Sequence, residues 1–552
     1  MKKNHKYIFV VGGVMSGVGK GIATSSIGKI LQARGFTVNP VKIDPYLNVD
    51  AGTMNPTEHG EAFVLESGLE CDQDMGNYER FLNIDLRDED YITSGMVYKS
   101  VIDRERNLGY KGKCVEAIPH IREEIIDRID KAAQRNGSNV SIIEIGGTIG
   151  DYQNIMFIEA ARVLKMQRPG DVLFVMMSYL PIPNKLGEMK SKPTQNAIRL
   201  LNSYGVQPDI IIARSEKPLD KKRKEKIAVS CSVRADHVIS APDIESIYDV
   251  PVNFEKDNLG EIVLDLLDSK NKKKNTNLKD WKKFITKSKK ALGGKKEVHI
   301  AVVGKYFDTG DFVLSDAYIS IIEALKFSSY EVGVKPVLHW LSSKEFDKGG
   351  AKLKQLKKYD GVLIPGGFGE TGIEGKLNVI QYVRENKIPY FGICYGMQLA
   401  VIEYARNVLK MKDANTAEIN LNTKYTVIDI MPDQKERLKN KDYGATMRLG
   451  SYPAKLKKGS IAQKAYRKDK ISERHRHRYE VNPQFVEELS SKDLTFSGTS
   501  PNGKLMEIVE LPTSKHPFFL AVQFHPEFQA RPLAPHPLFT EFIKASVKKK
   551  KK

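Results

Sequence analysis

Short runs of β-branched and aliphatic residues alternate along this chain with longer stretches whose apolar positions recur every three to four residues. The short runs predict buried strands at Tyr7–Val11, Thr37–Ile43, Val140–Ile145, Asp171–Met177 and Asp209–Ala213, then at Val298–Val303, Lys335–Trp340, Gly361–Ile364, Tyr390–Ile393 and Phe519–Gln523. The longer stretches predict helices over Gly21–Ala33, Ala117–Ala133, Ser315–Phe327 and Met397–Val408. Strands that are apolar on both faces belong in sheets covered by helices on each side, so the expected fold class is α/β with two parallel-sheet domains. The first is expected to be a P-loop-like, Rossmann-type domain. No repeat at solenoid spacing is present.

At 552 residues the chain exceeds one ordinary core. Charge marks the division. Between Lys270 and Lys296 stand twelve lysines and one acid, Asp280, and the last five residues are all lysine; the two segments carry +16 of the formal +19. The expected organisation is a first domain over 1–268, a lysine-rich linker over 269–296 with room for one short helix, a second domain over 297–546 and a basic tail over 547–552. The remaining body is nearly neutral, and the lysine runs lack interleaved aromatics, which argues against specific nucleic-acid binding. No apolar run approaches a membrane span. The basic residues before Tyr7–Val11 only faintly resemble a signal peptide, because the run is short and enters a glycine loop. Four cysteines with no paired spacing point to a reducing, cytoplasmic location rather than a disulfide framework or zinc site.

One of these cysteines carries chemistry. In Phe391-Gly392-Ile393-Cys394-Tyr395-Gly396-Met397-Gln398 an apolar strand runs into a helical pattern, with Cys394 at the elbow and a glycine on either side. The glycines are expected to permit the sharp turn and leave room for a substrate, and the helix N-terminus favours an anionic sulfur. Downstream, Phe524-His525-Pro526-Glu527 places an imidazole and a carboxylate two positions apart. In an extended segment both would face one side, so that Glu527 orients His525 and His525 activates Cys394. His475 and His477 alternate with Arg474, Arg476 and Arg478, whose charges oppose a metal there.

The first strand enters Gly12-Gly13-Val14-Met15-Ser16-Gly17-Val18-Gly19-Lys20-Gly21, a strand–glycine loop–lysine–helix arrangement suited to phosphates. Two positions depart from the usual P-loop pattern: Val14 replaces the first glycine, and Gly21 replaces the hydroxyl residue that ordinarily holds Mg²⁺. Metal ligands must then come from elsewhere, and Asp74 and Glu144 are the candidates, the latter near the end of a predicted parallel strand. Lys42, Lys190, Lys192 and Lys226 could hold further phosphates. The pair in Lys190-Ser191-Lys192-Pro193-Thr194-Gln195 precedes a predicted helix start.

By itself the elbow fits a hydrolase or an amidotransferase, and the glycine loop a phosphate-binding half. Longer runs narrow the choice: Lys42–Asp50, Gly52-Thr53-Met54, His59-Gly60-Glu61, Gly76–Phe81, Lys190–Gln195, Arg474–Glu480 and Phe524–Phe528 together resemble the CTP synthase family over nearly the whole chain. The resemblance implies a C-terminal class I glutamine amidotransferase domain. It also implies amination of UTP to CTP through a 4-phosphorylated UTP, the last step of de novo CTP synthesis, using ATP and glutamine. By motif, Cys394, His525 and Glu527 match the glutaminase triad. Gly367, Tyr395, Gly396, Met397, Gln398, Glu418 and Arg478 match glutamine contacts, with backbone N–H groups near Gly367 and Tyr395 as oxyanion donors. Gly17, Val18, Gly19, Lys20, Gly21, Ile22, Lys42 and Asp74 match the ATP site, and Asp74 and Glu144 the Mg²⁺ site. Ser16, Asp151, Tyr152, Gln153, Lys190, Ser191, Lys192, Pro193, Thr194, Gln195 and Lys226 match UTP and CTP positions. Gln153 stands where the feedback segment of the family carries an acid, and Tyr306–Ser315 is longer than usual. The family further implies an internal ammonia passage, CTP feedback, activation by GTP, and a homotetramer, a dimer of dimers, that can form filaments.

Overall fold

The computed structural model describes residues 5–549 apart from 136, 184–186, 269–277, 306–314, 368, 370, 432, 433 and 435–446. The chain divides into two compact units, one formed by Met1–Asp50 with Asp74–Ile285, the other by Ala51–Gln73 with Thr286–Lys552.

In the first unit the apolar runs build a seven-stranded sheet: β1 (Lys6–Gly12), β2 (Val38–Asp44), β3 (Tyr91–Thr93), β4 (Val140–Ile145), β5 (Val172–Tyr179), β6 (Ile210–Ser215) and β7 (Val238–Pro242). They lie in the order β3-β2-β4-β1-β5-β6-β7, every pairing parallel. Alternation along β1 shows why both faces are apolar. Tyr7, Phe9 and Val11 enter one core while Ile8 and Val10 enter the other, on the opposite face. Nucleotide-site candidates gather where these strands end. The helix Lys20–Ala33 follows β1, and Asp44 closes β2. The helical stretch expected over Ala117–Ala133 is broken at its start by non-helical Ile118 and becomes regular over Arg122–Arg135.

The lysine-rich segment, expected to have room for one short helix, forms the helix Lys279–Leu292. Trp281 is buried, meets Phe81 and Phe284 at a tilt and Tyr248 edge-on, and donates its indole N–H to Tyr248 O at 2.8 Å. Its apolar stripe fastens the helix while the lysines line the outside.

The second unit holds a nine-stranded sheet: β8 (Glu297–Gly304), β9 (Lys335–Ser342), β10 (Gly361–Ile364), β11 (Tyr390–Ile393), β12 (Arg448–Leu456), β13 (Lys470–His477), β14 (Thr495–Thr499), β15 (Met506–Glu510) and β16 (Phe519–Val522). The order is β9-β8-β10-β11-β16-β15-β14-β12-β13. Only the first five strands are parallel; the last four run antiparallel to their neighbours. The expected parallel sheet is therefore half of a mixed one. The antiparallel strands are half-polar, so they lack the uniformly apolar runs that flag buried parallel strands.

Ala51–Gln73 belongs to this second unit, although its sequence lies inside the first half. Its hairpin, Phe63–Val64 paired with Glu70–Cys71, is stitched to β12 and β13. Ser451 N–H donates to Glu66 O at 2.8 Å, Arg474 Nη1 to Val64 O at 3.0 Å, and Arg476 Nε to Glu70 Oε1 at 2.7 Å.

Candidate functional site

Cys394 sits between β11 and the helix Tyr395–Asn407 with φ +50° and ψ −99°, a strained conformation for a residue with a Cβ. Its N–H donates to Val522 O at 2.6 Å, and its carbonyl accepts from Met397 and Gln398 N–H groups at 3.0 and 3.2 Å. The positive φ thus falls on the cysteine itself, not on its glycines. The glycines serve close packing: a Cβ at Gly396 would stand 2.4 Å from Ile364 O, and one at Gly392 2.6 Å from the Tyr390 hydroxyl. The turn raises the sulfur towards a cavity of about 80 Å³ that is also lined by Gly366, Gly367, His525, Glu61 and Tyr318.

His525 Nδ1 and Glu527 Oε1 are 2.7 Å apart. The pairing does not come from extended chain, because Pro526–Gln529 is a short 3₁₀ turn that folds the carboxylate back under the ring. Burial alone would keep the imidazole neutral. The Glu527 carboxylate and, after it, the adjacent Cys394 sulfur outweigh it and push His525 up to about 10. Nε2 is buried without a hydrogen-bond partner among the described residues, as is Glu527 Oε2. The raised imidazole beside the Cys394 sulfur is suited to donating a proton to a leaving group.

The expected glutamine contacts separate into groups. Gly367 lines the cavity. Tyr395 Oη donates to Gly369 O at 3.3 Å, and Gly369 N–H donates to Glu418 Oε1 at 2.8 Å, so Tyr395 and Glu418 meet on the loop after Gly367. Gln398 Nε2 donates to Tyr479 O at 2.8 Å, and Arg478 Nη1 to Gln434 Oε1 at 3.2 Å. Gly396 is packed against Ile364, and Met397 lies wholly in the core. Two lysines that sequence reading passed over join the Gly369 loop. Lys305 Nζ donates to Gly369 O at 3.0 Å, and Lys376 Nζ lies 5.3 Å from the centre of the Tyr395 ring. Burial, reinforced by Lys305 and opposed by Glu418, brings Lys376 down to about 7. Lys305 directly follows the strand Glu297–Gly304, a usable signal; Lys376 is buried within the helix Ile373–Glu385, where no pattern marks it.

In the first unit the glycine loop spans Gly13 to Gly19, with positive φ at Val14, Gly17 and Gly19. Ser16 and Gly17 are exposed, Val18 is buried, and Gly21 and Ile22 belong to the helix Lys20–Ala33. Lys20 Nζ donates to Gly147 O at 2.7 Å, and burial pulls this ammonium below the usual lysine range. Gly21 is explained by its neighbour: a Cβ there would stand 2.1 Å from Asp74 Oδ1. The carboxylate occupies the place of the missing hydroxyl. Asp74 and Glu144 converge on one cation, Lys42 Nζ, at 2.5 and 3.0 Å, with Asp44 Oδ1 3.6 Å from the same nitrogen. Burial raises Glu144, while the half-buried Asp74 is held low by Lys42. Tyr78 Oη donates to Glu144 Oε2. Two hard-oxygen groups already aimed at a positive charge suit Mg²⁺. No group of three or more His, Cys, Asp or Glu is arranged for a metal among the described residues, so phosphate and water would complete the shell.

Lys192 opens the helix Lys192–Ser203, with Ser191 as its N-cap and Pro193 in the first turn. Ser178 Oγ donates to Thr194 Oγ1 at 2.7 Å, and Gln195 Nε2 to Ser191 Oγ at 3.2 Å. Lys190 Nζ pairs with Glu188 at 2.6 Å, and Lys226 and Arg223 also draw that carboxylate below its usual range, which brings Lys190 and Lys226 to one region. Asp151 Oδ2 accepts Thr148 N–H at 2.7 Å, while Tyr152 and Gln153 are exposed. Arg214, at the end of β6, was not foreseen; its Nη1 donates to Gly17 O at 3.2 Å. The long segment Tyr306–Ser315 lies outside the described residues up to 314, as do 269–277 of the linker and the last three tail lysines.

Family models match both parts of the chain: "CTP synthase N-terminus" over residues 6–269 and "Glutamine amidotransferase class-I" over 313–545. The chain is 47% identical over 545 residues to the CTP synthase of Halalkalibacterium halodurans, covering 99% of each chain. It is 48% identical over 551 residues to that of Clostridium kluyveri, covering 100% of this chain and 99% of the relative. Among solved structures it is similar to the Trypanosoma brucei CTPS glutaminase domain with bound acivicin, at 38% identity and a TM-score of 0.42, over 46% of this chain and 94% of that one.

Proposed function

The chain belongs to the CTP synthase family, and from that membership we propose how its residues divide the work. The enzyme catalyses glutamine-dependent conversion of UTP to CTP, with ATP as co-substrate. Amide transfer is assigned to the domain expected over 1–268 and glutamine hydrolysis to that over 297–546. The observation that carries the second assignment is the His525–Glu527 contact at 2.7 Å beside the Cys394 elbow.

The Cys394 sulfur attacks the glutamine amide carbon, and backbone N–H groups near Gly367 and Tyr395 receive the oxyanion, each donor worth about 3 kcal/mol. His525, already protonated, gives its proton to the departing nitrogen, and ammonia leaves a glutamyl thioester. Water then attacks the acyl carbon as His525 takes its proton, and glutamate and the free sulfur separate. Gly367, Tyr395, Gly396, Met397, Gln398, Glu418 and Arg478 frame the substrate, Gly396 and Met397 through backbone and packing.

In the other domain Lys20 and Lys42 exchange their present oxygen partners for ATP phosphates over the loop Gly17–Ile22. Ser16, Asp151–Gln153, Lys190–Gln195 and Lys226 hold UTP and, in feedback, CTP. ATP phosphorylates the uracil 4-oxygen, and ammonia attacks C4 and displaces phosphate. Asp74 and Glu144 would hold Mg²⁺, which when bound offsets phosphate charge. We further propose activation by GTP and a cytoplasmic homotetramer, a dimer of dimers capable of forming filaments. Assembly is supported by exposed apolar residues of the first unit, among them Leu47, Ile102, Leu108 and Ile118.

Purified protein given UTP, ATP, Mg²⁺ and either glutamine or ammonium should form CTP from both; no CTP from either source overturns the reading. Cys394→Ala should abolish the glutamine-driven reaction and spare the ammonium-driven one. Loss of both would refute the division of labour.

A further inference from the structure

Gln523 lies at the end of β16, just after Val522, and is completely buried. Its side-chain amide has a defined polarity. Gln398 Nε2 donates to Gln523 Oε1 at 3.3 Å, which commits the oxygen and turns the NH₂ towards Cys394, where Nε2 stands 3.7 Å from Sγ. Gln398 is fixed in turn, donating to Tyr479 O at 2.8 Å. That carbonyl also accepts from His477 Nδ1 at 3.1 Å, and His477 Nε2 lies 2.9 Å from His475 Nδ1. The chain of donors runs one way. His477 must carry its proton on Nδ1 to serve Tyr479 O, so His475 Nδ1 donates to His477 Nε2. Both imidazoles are buried and held well below their usual range, first by desolvation and then by Arg448, so neither can reverse the sequence by taking a second proton.

The sulfur therefore meets a donor on one side and the Arg476 carbonyl, also at 3.7 Å, on the other. The carbonyl can serve only the thiol, because a thiolate has no proton to give. The amide N–H serves the anion best.

We propose that Gln523 is a further catalytic residue of the glutaminase reaction, donating its side-chain N–H to the Cys394 sulfur whenever that sulfur carries charge. It does so twice per turnover. Before attack it holds the thiolate, whose proton resides on His525. During hydrolysis, when water has added to the thioester and the C–S bond breaks, the sulfur keeps the electron pair and the Gln523 N–H stabilises the resulting charge. The role rests on Cys394 as nucleophile, which Cys394→Ala tests separately.

Two substitutions in the full-length enzyme separate donation from packing. Gln523→Leu removes the donor at similar volume, and Gln523→Glu keeps the shape but presents an acceptor. Glutamine hydrolysis should fall about tenfold or more in Gln523→Leu, as expected for loss of a donor to a charged group, and further in Gln523→Glu. Iodoacetamide alkylation of Cys394 at pH 7 should slow in the same order and recover as pH rises. Ammonium-driven CTP formation, which bypasses the sulfur, reports that each variant is folded; a variant that loses it is judged on alkylation alone. Alkylation profiles matching the unsubstituted enzyme, or Gln523→Glu hydrolysing glutamine faster than Gln523→Leu, would overturn the proposal.

Discussion

At the scale of single residues, the proposed triad depends on charge outweighing burial at His525. An imidazole this deeply enclosed would ordinarily stay neutral, yet Glu527 at 2.7 Å and the adjacent sulfur bring it up to about 10. Because the folded value lies above the unfolded one, near 6.5, the protonated ring contributes stability in full below about pH 6.5. That contribution fades as pH rises through about 10. Glu527→Gln removes the larger attraction. Glutamine-driven activity should fall about a hundredfold, the usual loss when a positioned proton donor is disabled, and the decline in urea midpoint on going from pH 8 to pH 10.5 should shrink. An unchanged decline would show that the carboxylate does not hold the proton. The grouping of Cys394, His525 and Glu527 around one cavity could be anticipated from residue type and spacing. The strain at Cys394 could not, because glycines beside an elbow invite the assumption that they carry its positive φ, and here they carry only close contacts.

At the scale of elements, the strand–loop–helix around Lys20 shows how a departure from a pattern becomes readable once a neighbour is known. Gly21 looked like a lost hydroxyl; it is the space in which the Asp74 carboxylate lies. Restoring the usual residue should therefore harm the enzyme. Gly21→Ser places a Cβ 2.1 Å from Asp74 Oδ1, so the carboxylate or the helix must move. Displacement of about an ångström can cost about a hundredfold in a positioned reaction. CTP formation from glutamine and from ammonium should both drop on that scale, with glutamine hydrolysis retained; a Gly21→Ser enzyme as active as the original would refute this account of Asp74. The ten strands expected from apolar runs all occur, because burial on both faces leaves an unambiguous signature. The antiparallel strands β12 to β15 escaped that reading because they are half-polar, whereas the one short helix allowed for in the lysine-rich segment forms over Lys279–Leu292, anchored by Trp281.

At the scale of the whole molecule, the chain leaves the first unit after Asp50, contributes Ala51–Gln73 to the second, and returns at Asp74, the carboxylate beside Gly21 and Lys42. No local pattern announces such an excursion, since its hairpin is two residues per strand and its anchors, Arg474 and Arg476, lie about 400 positions away. Its placement gives Arg476 two tasks. The half-buried guanidinium pairs with the buried Glu70 carboxylate, and the carbonyl of the same residue lies 3.7 Å from the Cys394 sulfur. Removing one partner of a buried pair typically costs about 3–5 kcal/mol. In Glu70→Ala that loss falls on a strand that also positions the nucleophile. Glutamine-driven CTP formation should therefore decline several-fold more than ammonium-driven formation, and amide hydrogen exchange over Ala51–Gln73 should accelerate. Equal decline with both nitrogen sources would place the effect in the nucleotide half, and exchange unchanged over the segment would show that the Arg476–Glu70 pair does not secure it.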